Sequence, residues 1–173
     1  PGSGREAFAR YLHERGPRAG SPFVTLVASS LREAEAESRL FGRVEGASRH
    51  PGLIEQAADG TLFLQEIEDL PAAAQRLLVG AMESGKFVPI GGAEPVELRA
   101  RVVSSAQPGV EGRAGADGLR RDLLAHLNTL IVRVPPLRDY AEDVPELLRQ
   151  QVDRIVDTEG LPFRRFSVAA QNR

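Results

Sequence analysis

The sequence predicts an α/β domain with a mainly parallel sheet and helices on both faces. Short apolar or β-branched runs, FVTLV at Phe23–Val27 and TLFL at residues 61–64, alternate with longer helical stretches. Glycine and proline punctuate the boundaries at Gly16-Pro17, Gly85 and Gly91-Gly92. At 173 residues the chain is long enough to bury one sizeable core.

Taken in order, Phe8, Tyr11 and Leu12 recur at helical spacing before the break at Gly16-Pro17. Phe23–Val27 is a strand, and residues 31–40, rich in Glu and Ala, read as helix. Residues 43–52 carry Gly, Ser, His and Pro and read as a loop. Residues 61–64 form a strand that runs into Gln65-Glu66. Pro71 opens a helix in its first turn, with Leu77, Leu78, Ala81 and Met82 as its buried stripe and Gly85 as its end. Residues 87–98, interrupted by Gly91-Gly92, suggest a hairpin. Val102-Val103 and residues 130–134 are further strands, with a helix over about residues 118–126 between them. Residues 143–157 form the last full helix, with Pro145 in its first turn, and Ser167 could cap another.

Composition narrows the function. Hydrophobic residues at 42% and charged residues at 27% suit a globular protein. No run approaches the roughly 18 apolar residues of a membrane helix. Cysteine is absent, which excludes disulfides and cysteine metal sites and fits a cytoplasmic protein. A net charge of −2 argues against this segment being the main nucleic-acid grip. Lys86 is the only lysine, and the chain opens at Pro1 as if inside a motif, the expectation for a piece of a longer protein.

Two segments carry chemistry. Gly2-Ser3-Gly4-Arg5-Glu6 precedes a helix, and a glycine-rich turn at a helix N-terminus favours a phosphate. In the P-loop pattern the lysine position is held here by Arg5. A plain turn and cap would explain those residues too. The second segment is the apolar strand ending in Gln65-Glu66, the place where such proteins put one carboxylate near magnesium and the next beside the attacking water. A strand followed by a polar turn is the simpler account. In sheets of this kind, ligands lie beyond the carboxyl ends of the strands.

Further motifs carry a family resemblance over nearly the whole chain. Ser38-Arg39-Leu40-Phe41-Gly42 resembles E-S-E-L-F-G, and Ile54-Glu55-Gln56-Ala57 with Gly60-Thr61-Leu62-Phe63-Leu64 resembles F-E-Q-A and G-T-L-F-L-D-E. Arg120-Arg121-Asp122-Leu123-Leu124 resembles F-R-E-D-L. Pro135-Pro136-Leu137-Arg138 and Glu142-Asp143-Val144-Pro145 resemble P-P-L-R and E-D-I-P. These are motifs of NtrC-like, sigma-54-dependent enhancer-binding proteins. The resemblance implies a P-loop AAA+ core that binds ATP with magnesium, assembles as a ring and remodels RNA polymerase held by sigma-54. It also implies flanking sensory and helix-turn-helix, DNA-binding domains outside this chain, and a helical lid that is absent because the sequence stops at Arg173.

Departures fall at the positions that matter for hydrolysis. Arg5 replaces the phosphate-binding lysine, and a planar fork is not a compact ammonium. Gln65 replaces the aspartate of the magnesium shell, leaving Glu66 as the one candidate base. Of two family arginines that act on a neighbour's ATP, Arg120 matches the first and His126 stands in place of the second. The polar sensor position holds Ala106, beside Ser104, Ser105 and Gln107. Of the sigma-contacting G-A-F-T-G-A loop only Gly46-Ala47 remain.

Three functions follow as alternatives: a regulator module with impaired hydrolysis, a working ATPase that activates sigma-54 polymerase, or a sensor of a nucleotide second messenger such as cyclic di-GMP. His13, His50 and His126 are scattered, so no metal site is expected. The stretch 33–37 reads as a solvated acidic face, and Arg18, Arg32, Arg39, Arg43 and Arg49 read as solvent-facing side chains.

Overall fold

In the computed structural model, which describes residues 4–115 and 118–162, the sheet is built from three parallel strands. They are β1 (Phe23–Val27), β4 (Thr61–Gln65) and β7 (Arg101–Ser104), in the spatial order β1-β4-β7. The register aligns Val27 with Gln65 and Leu64 with Ser104, so the strands finish together. Apolar β4 is buried along Thr61 to Leu64, as expected of a central strand covered on both faces.

Each face has its own helices. On one, Leu26, Leu62 and Leu64 join a core with residues of α2 (Glu33–Phe41), α3 (Leu53–Ala57), α4 (Ala72–Ser84) and α6 (Arg121–Leu127). Ala36, Leu40, Phe41, Ile54, Leu78 and Leu123 are fully buried there. On the other, α1 (Arg5–Glu14) lies over Phe23 and Phe63, whose rings stack at 6.1 Å. His13 is buried edge-on to Phe23 at 5.3 Å. Its Nδ1 lies 2.9 Å from Thr61 Oγ1, and its Nε2 lies 3.1 Å from the Ser21 carbonyl oxygen.

Several expectations change. Phe8, Tyr11 and Leu12 are exposed, because α1 meets the sheet through Ala9 and His13. In α4 the buried face is Ala74, Gln75, Leu78, Val79 and Ala81, with Leu77 and Met82 only partly covered. Pro71 is its N-cap and Gly85 its left-handed C-cap. Residues 130–134 do not form a strand. A strand needs a neighbour to take its backbone hydrogen bonds. Among the described residues β7 is the last strand of the sheet, and Leu130 is 74% exposed.

The segment 43–52 is not an open loop but a hairpin, β2 (Arg43–Glu45) and β3 (Ser48–His50), turning at Gly46-Ala47. Positive φ falls on Gly46, where such turns take glycine. The base of the hairpin closes where Gly42 meets Gly52. A Cβ on Gly52 would stand 2.3 Å from both Gly42 N and Leu40 O. A short antiparallel pair, β5 (Lys86–Phe87) with β6 (Val96–Glu97), follows α4, and a single turn, α5 (Val110–Arg113), precedes α6. The helix expected over 118–126 begins at Arg121, with Arg120 as its extended N-cap.

Arg5–Val132 is one compact unit. Of the rest, α7 (Val144–Glu159) has Pro145 in its first turn and ends at left-handed Gly160. Ser167 lies outside the described residues. Among those described, no helix is long and apolar enough to cross a membrane.

Candidate functional site

Because β1, β4 and β7 are parallel and end in register, the residues just after them gather along one edge of the sheet. Ser29 follows β1, Glu66 follows β4, and Ser105, Ala106 and Gln107 follow β7.

Glu66 is the centre of this edge. Its backbone is left-handed, with φ 57° and ψ 57°, a conformation that a non-glycine residue adopts only when its surroundings impose it. Ser105 imposes it. Glu66 N donates to Ser105 Oγ at 3.3 Å, Ile67 N donates to the Ser105 carbonyl at 3.0 Å, and Ser105 N donates to Leu64 O at 2.9 Å. The carboxylate is held as well, since Ser29 Oγ donates to Glu66 Oε2 at 2.8 Å. Gln65, the last residue of β4, lies opposite Val27 and is partly exposed.

Arg5 opens α1, and its Nη1 donates to the Ala106 carbonyl at 2.5 Å. The expected phosphate cation therefore reaches the end of β7. Glu6 occupies the Ser/Thr position that follows the lysine in the P-loop pattern. Its Oε1 accepts from Thr25 Oγ1 at 3.3 Å and from Arg10 at 3.2 Å. That carboxylate is suited to tying α1 to β1, not to holding an anion. Gly4 precedes α1 with φ 63°, whereas Gly2 and Ser3 lie outside the described residues.

The other expected residues stand elsewhere. Arg120 is locked to Asp122, Nε to Oδ1 at 3.0 Å and Nη2 to Oδ2 at 2.5 Å. The hydrogen bond and charge of Asp122 raise the Arg120 pKa, and the same bond lowers that of Asp122. His126 is in the last turn of α6, with Nε2 3.4 Å from Glu83 Oε1 on α4. Gly46 and Ala47 form the tip of the β2–β3 hairpin.

Two side chains, Gln75 and Glu68, escape the sequence reading, and a third, Arg18, departs from it. Gln75, 1% exposed, accepts from Arg120 N at 2.8 Å and donates to Leu70 O at 2.7 Å and Gly118 O at 3.0 Å. It fixes the chain entering α6, and a glutamine inside an apolar stripe was its only signal. Glu68 accepts from Gln107 N at 2.8 Å. Arg18 Nη1 donates to the carbonyls of Asp59, Gly60 and Arg99 at 2.7, 3.1 and 2.8 Å, so it is a strut and not a loose solvent-facing arginine.

At the carboxyl end of β4 this edge offers magnesium one carboxylate and one amide. Its carboxylate Glu66 is already engaged by Ser29, and the neighbouring position is a neutral amide. Among the described residues no group of three or more His, Cys, Asp or Glu side chains could hold a metal ion. A phosphate fits better, beside a guanidinium at a helix N-terminus.

The chain is similar to known proteins. The DNA-binding transcriptional regulator NtrC of Rhizobium meliloti (strain 1021) is 38% identical over 174 residues, covering 98% of this chain and 36% of its own length. The response regulator protein PilR of Pseudomonas aeruginosa is 36% identical over 177 residues, covering 99% of this chain and 40% of its own. The crystal structure of NtrX from Brucella abortus in complex with ATP superposes with a TM-score of 0.84 at 30% identity, covering 98% of this chain and 39% of that one. The chain thus spans well under half the length of these relatives. The fold is that of the AAA+ P-loop NTPases, and residues 1–133 match the Sigma-54 interaction domain, the family to which this chain belongs.

Proposed function

We propose that this chain is the nucleotide-binding core of a bacterial transcription regulator of the sigma-54-activator type, one that takes up ATP and hydrolyses it poorly. The observation that carries the reading is the end of β4, where neutral Gln65 stands immediately before Glu66. A carboxylate in that place shares in binding magnesium, and an amide is a weaker partner. Arg5 at the start of α1 supports phosphate binding, and so does the ATP in the NtrX relative.

ATP, when bound, supplies the phosphoryl group. The chain's own part is to bind it through Arg5 and the N-terminus of α1, and to orient a water at Glu66. Ser29 fixes one carboxylate oxygen of Glu66, so Oε1 is the oxygen that would take the water's proton. Arg120 keeps the first of the two arginines that act on a neighbour's phosphate, while His126 in place of the second supplies no fixed positive charge. The two-residue tip Gly46-Ala47 lacks an aromatic anchor for sigma-54. Ring assembly and DNA binding through a domain outside this chain complete the proposal.

Calorimetry of ATP with magnesium on the full-length protein, followed by phosphate release, tests it. Binding with turnover near background is the expected result. Clear magnesium-dependent turnover would sink the reading of poor hydrolysis, and no binding would leave the fold as a scaffold. A second reading, a working activator, draws on the retained Glu66 and Arg120. It requires open-complex formation at a sigma-54 promoter.

A further inference from the structure

Glu68 sits in the 3-10 turn Ile67–Asp69, directly after Glu66, and its carboxylate has an unequal fate. Oε1 accepts from the Gln107 backbone N at 2.8 Å, while Oε2 is buried and has no hydrogen-bond partner among the described residues. Oε1 is thus the oxygen that joins this turn to the segment after β7. The residues it touches are informative. Gln107 adjoins Ala106, whose carbonyl is the acceptor for Arg5. On its other side Ala106 adjoins Ser105, which is bonded to Glu66 and Ile67. The segment 105–107 is thereby tied to the Glu66 turn at both ends, with the Ala106 carbonyl held facing the one cation of the phosphate-binding turn.

We propose that Glu68 closes a latch across this edge: by pinning the Gln107 amide it fixes the Ala106 carbonyl as a standing competitor with phosphate for Arg5. The proposal rests on the nucleotide reading above and adds a positioning residue that acts against ligand uptake. A fixed carbonyl is a better acceptor than one free to swing away, so Arg5 gives up more when it turns to a phosphate. Loosening the segment lowers what Arg5 forfeits, and nucleotide affinity rises. Glu68 acts through Gln107 and Ala106 and is assigned no contact with the ligand.

Two variants of the full-length protein separate the hydrogen bond from the charge. In Glu68→Gln the amide oxygen still accepts from Gln107 N but the charge is gone; in Glu68→Ala both are gone. The readouts are hydrogen–deuterium exchange over residues 105–110 without nucleotide, and the Kd for ATP with magnesium by calorimetry. For Glu68→Ala we expect faster exchange in that segment and ATP binding tighter by roughly threefold to tenfold, the size of one hydrogen bond. Glu68→Gln is expected to match the wild type in exchange and to lie within about twofold of it in Kd. Unchanged exchange in Glu68→Ala overturns the latch, as does unchanged affinity while the wild type binds ATP. Equal tightening in both variants overturns it too, because charge would then be the cause. If the wild type fails to bind and Glu68→Ala binds, the latch is upheld. If none of the three binds ATP, the competition is refuted together with the nucleotide reading, and only in that case do both fall.

Discussion

Ser29 and Glu66 lie 37 residues apart in sequence, yet the hydroxyl of one donates to the carboxylate of the other at 2.8 Å. Parallel pairing of β1 with β4 in full register makes this contact, because it brings the residues just beyond Val27 and Gln65 side by side. The Glu66 carboxylate is thereby held in place by the sheet itself. On the Gln65→Asp background, where turnover is expected to be measurable, Glu66→Gln should bring ATP hydrolysis to background with little change in affinity, since the amide keeps the shape and loses the basicity. Ser29→Ala should lower turnover less and leave stability within about 0.5 kcal/mol, as the pair is exposed. Phosphate release and calorimetry check both.

Gln65→Asp restores a carboxylate at the end of β4. Magnesium-dependent phosphate release should rise at least about tenfold, as expected on gaining one charged metal partner. Unaltered turnover would place the bottleneck elsewhere, with Arg5 or His126 the next residues to restore.

Gln75 satisfies three backbone groups with one buried side chain. Gln75→Leu keeps the volume and leaves Arg120 N, Leu70 O and Gly118 O without that partner. A loss of about 2–3 kcal/mol is expected in chemical denaturation. A variant as stable as the wild type would show that water replaces the amide there.

Gly52→Ala should be costly for reasons of space alone, since its φ of −79° suits any residue. The added carbon would meet backbone atoms of Gly42 and Leu40 at 2.3 Å, and backbone cannot step aside as a side chain can. About 2 kcal/mol or more of destabilisation is expected, seen as a lowered Tm with the β2–β3 hairpin exchanging faster.

The Arg120–Asp122 pair gives a pH dependence of defined sign. The Asp122 carboxyl is depressed, chiefly by its hydrogen bond from Arg120, so whatever the pair adds is present at neutral pH. It is lost only as pH falls through the depressed value, below the ordinary carboxylate range. NMR titration of Asp122 should show that low midpoint, and Arg120→Ala should return it to normal. Between pH 6 and 8 the pair should contribute no slope.

Local pattern carried much of the architecture. FVTLV and TLFL read as strands, and both are; Pro71 and Gly85 bracket α4 as their chemistry dictates. Residues 130–134 misled because a strand is a property of a pair, and Leu-Ile-Val composition states only half of it. The β2–β3 hairpin was hidden by polar residues whose pairing depends on the close approach of Gly42 and Gly52. At the site, Arg5, Gln65 and Glu66 were legible as residue types in known places. Their partners were not, because the bonds to Ala106 and Ser29 span 101 and 37 residues. The bond from Arg120 to Asp122, two positions along, was equally unmarked in the motif. Gln75, Glu68 and Arg18 act on backbone groups, which leave no trace in side-chain motifs.

The left-handed backbone at Glu66 sets stability and chemistry against one another at a single position. Glycine would sit there without strain, and Glu66→Gly should make the domain firmer by roughly 1 kcal/mol while deleting the proposed base. Any lineage selected for durability alone has an open route to a sturdier, silent protein through this codon. On the role proposed for Glu66, screens that rank variants of this domain by melting temperature would reward loss of function here, and need a ligand or turnover readout beside them.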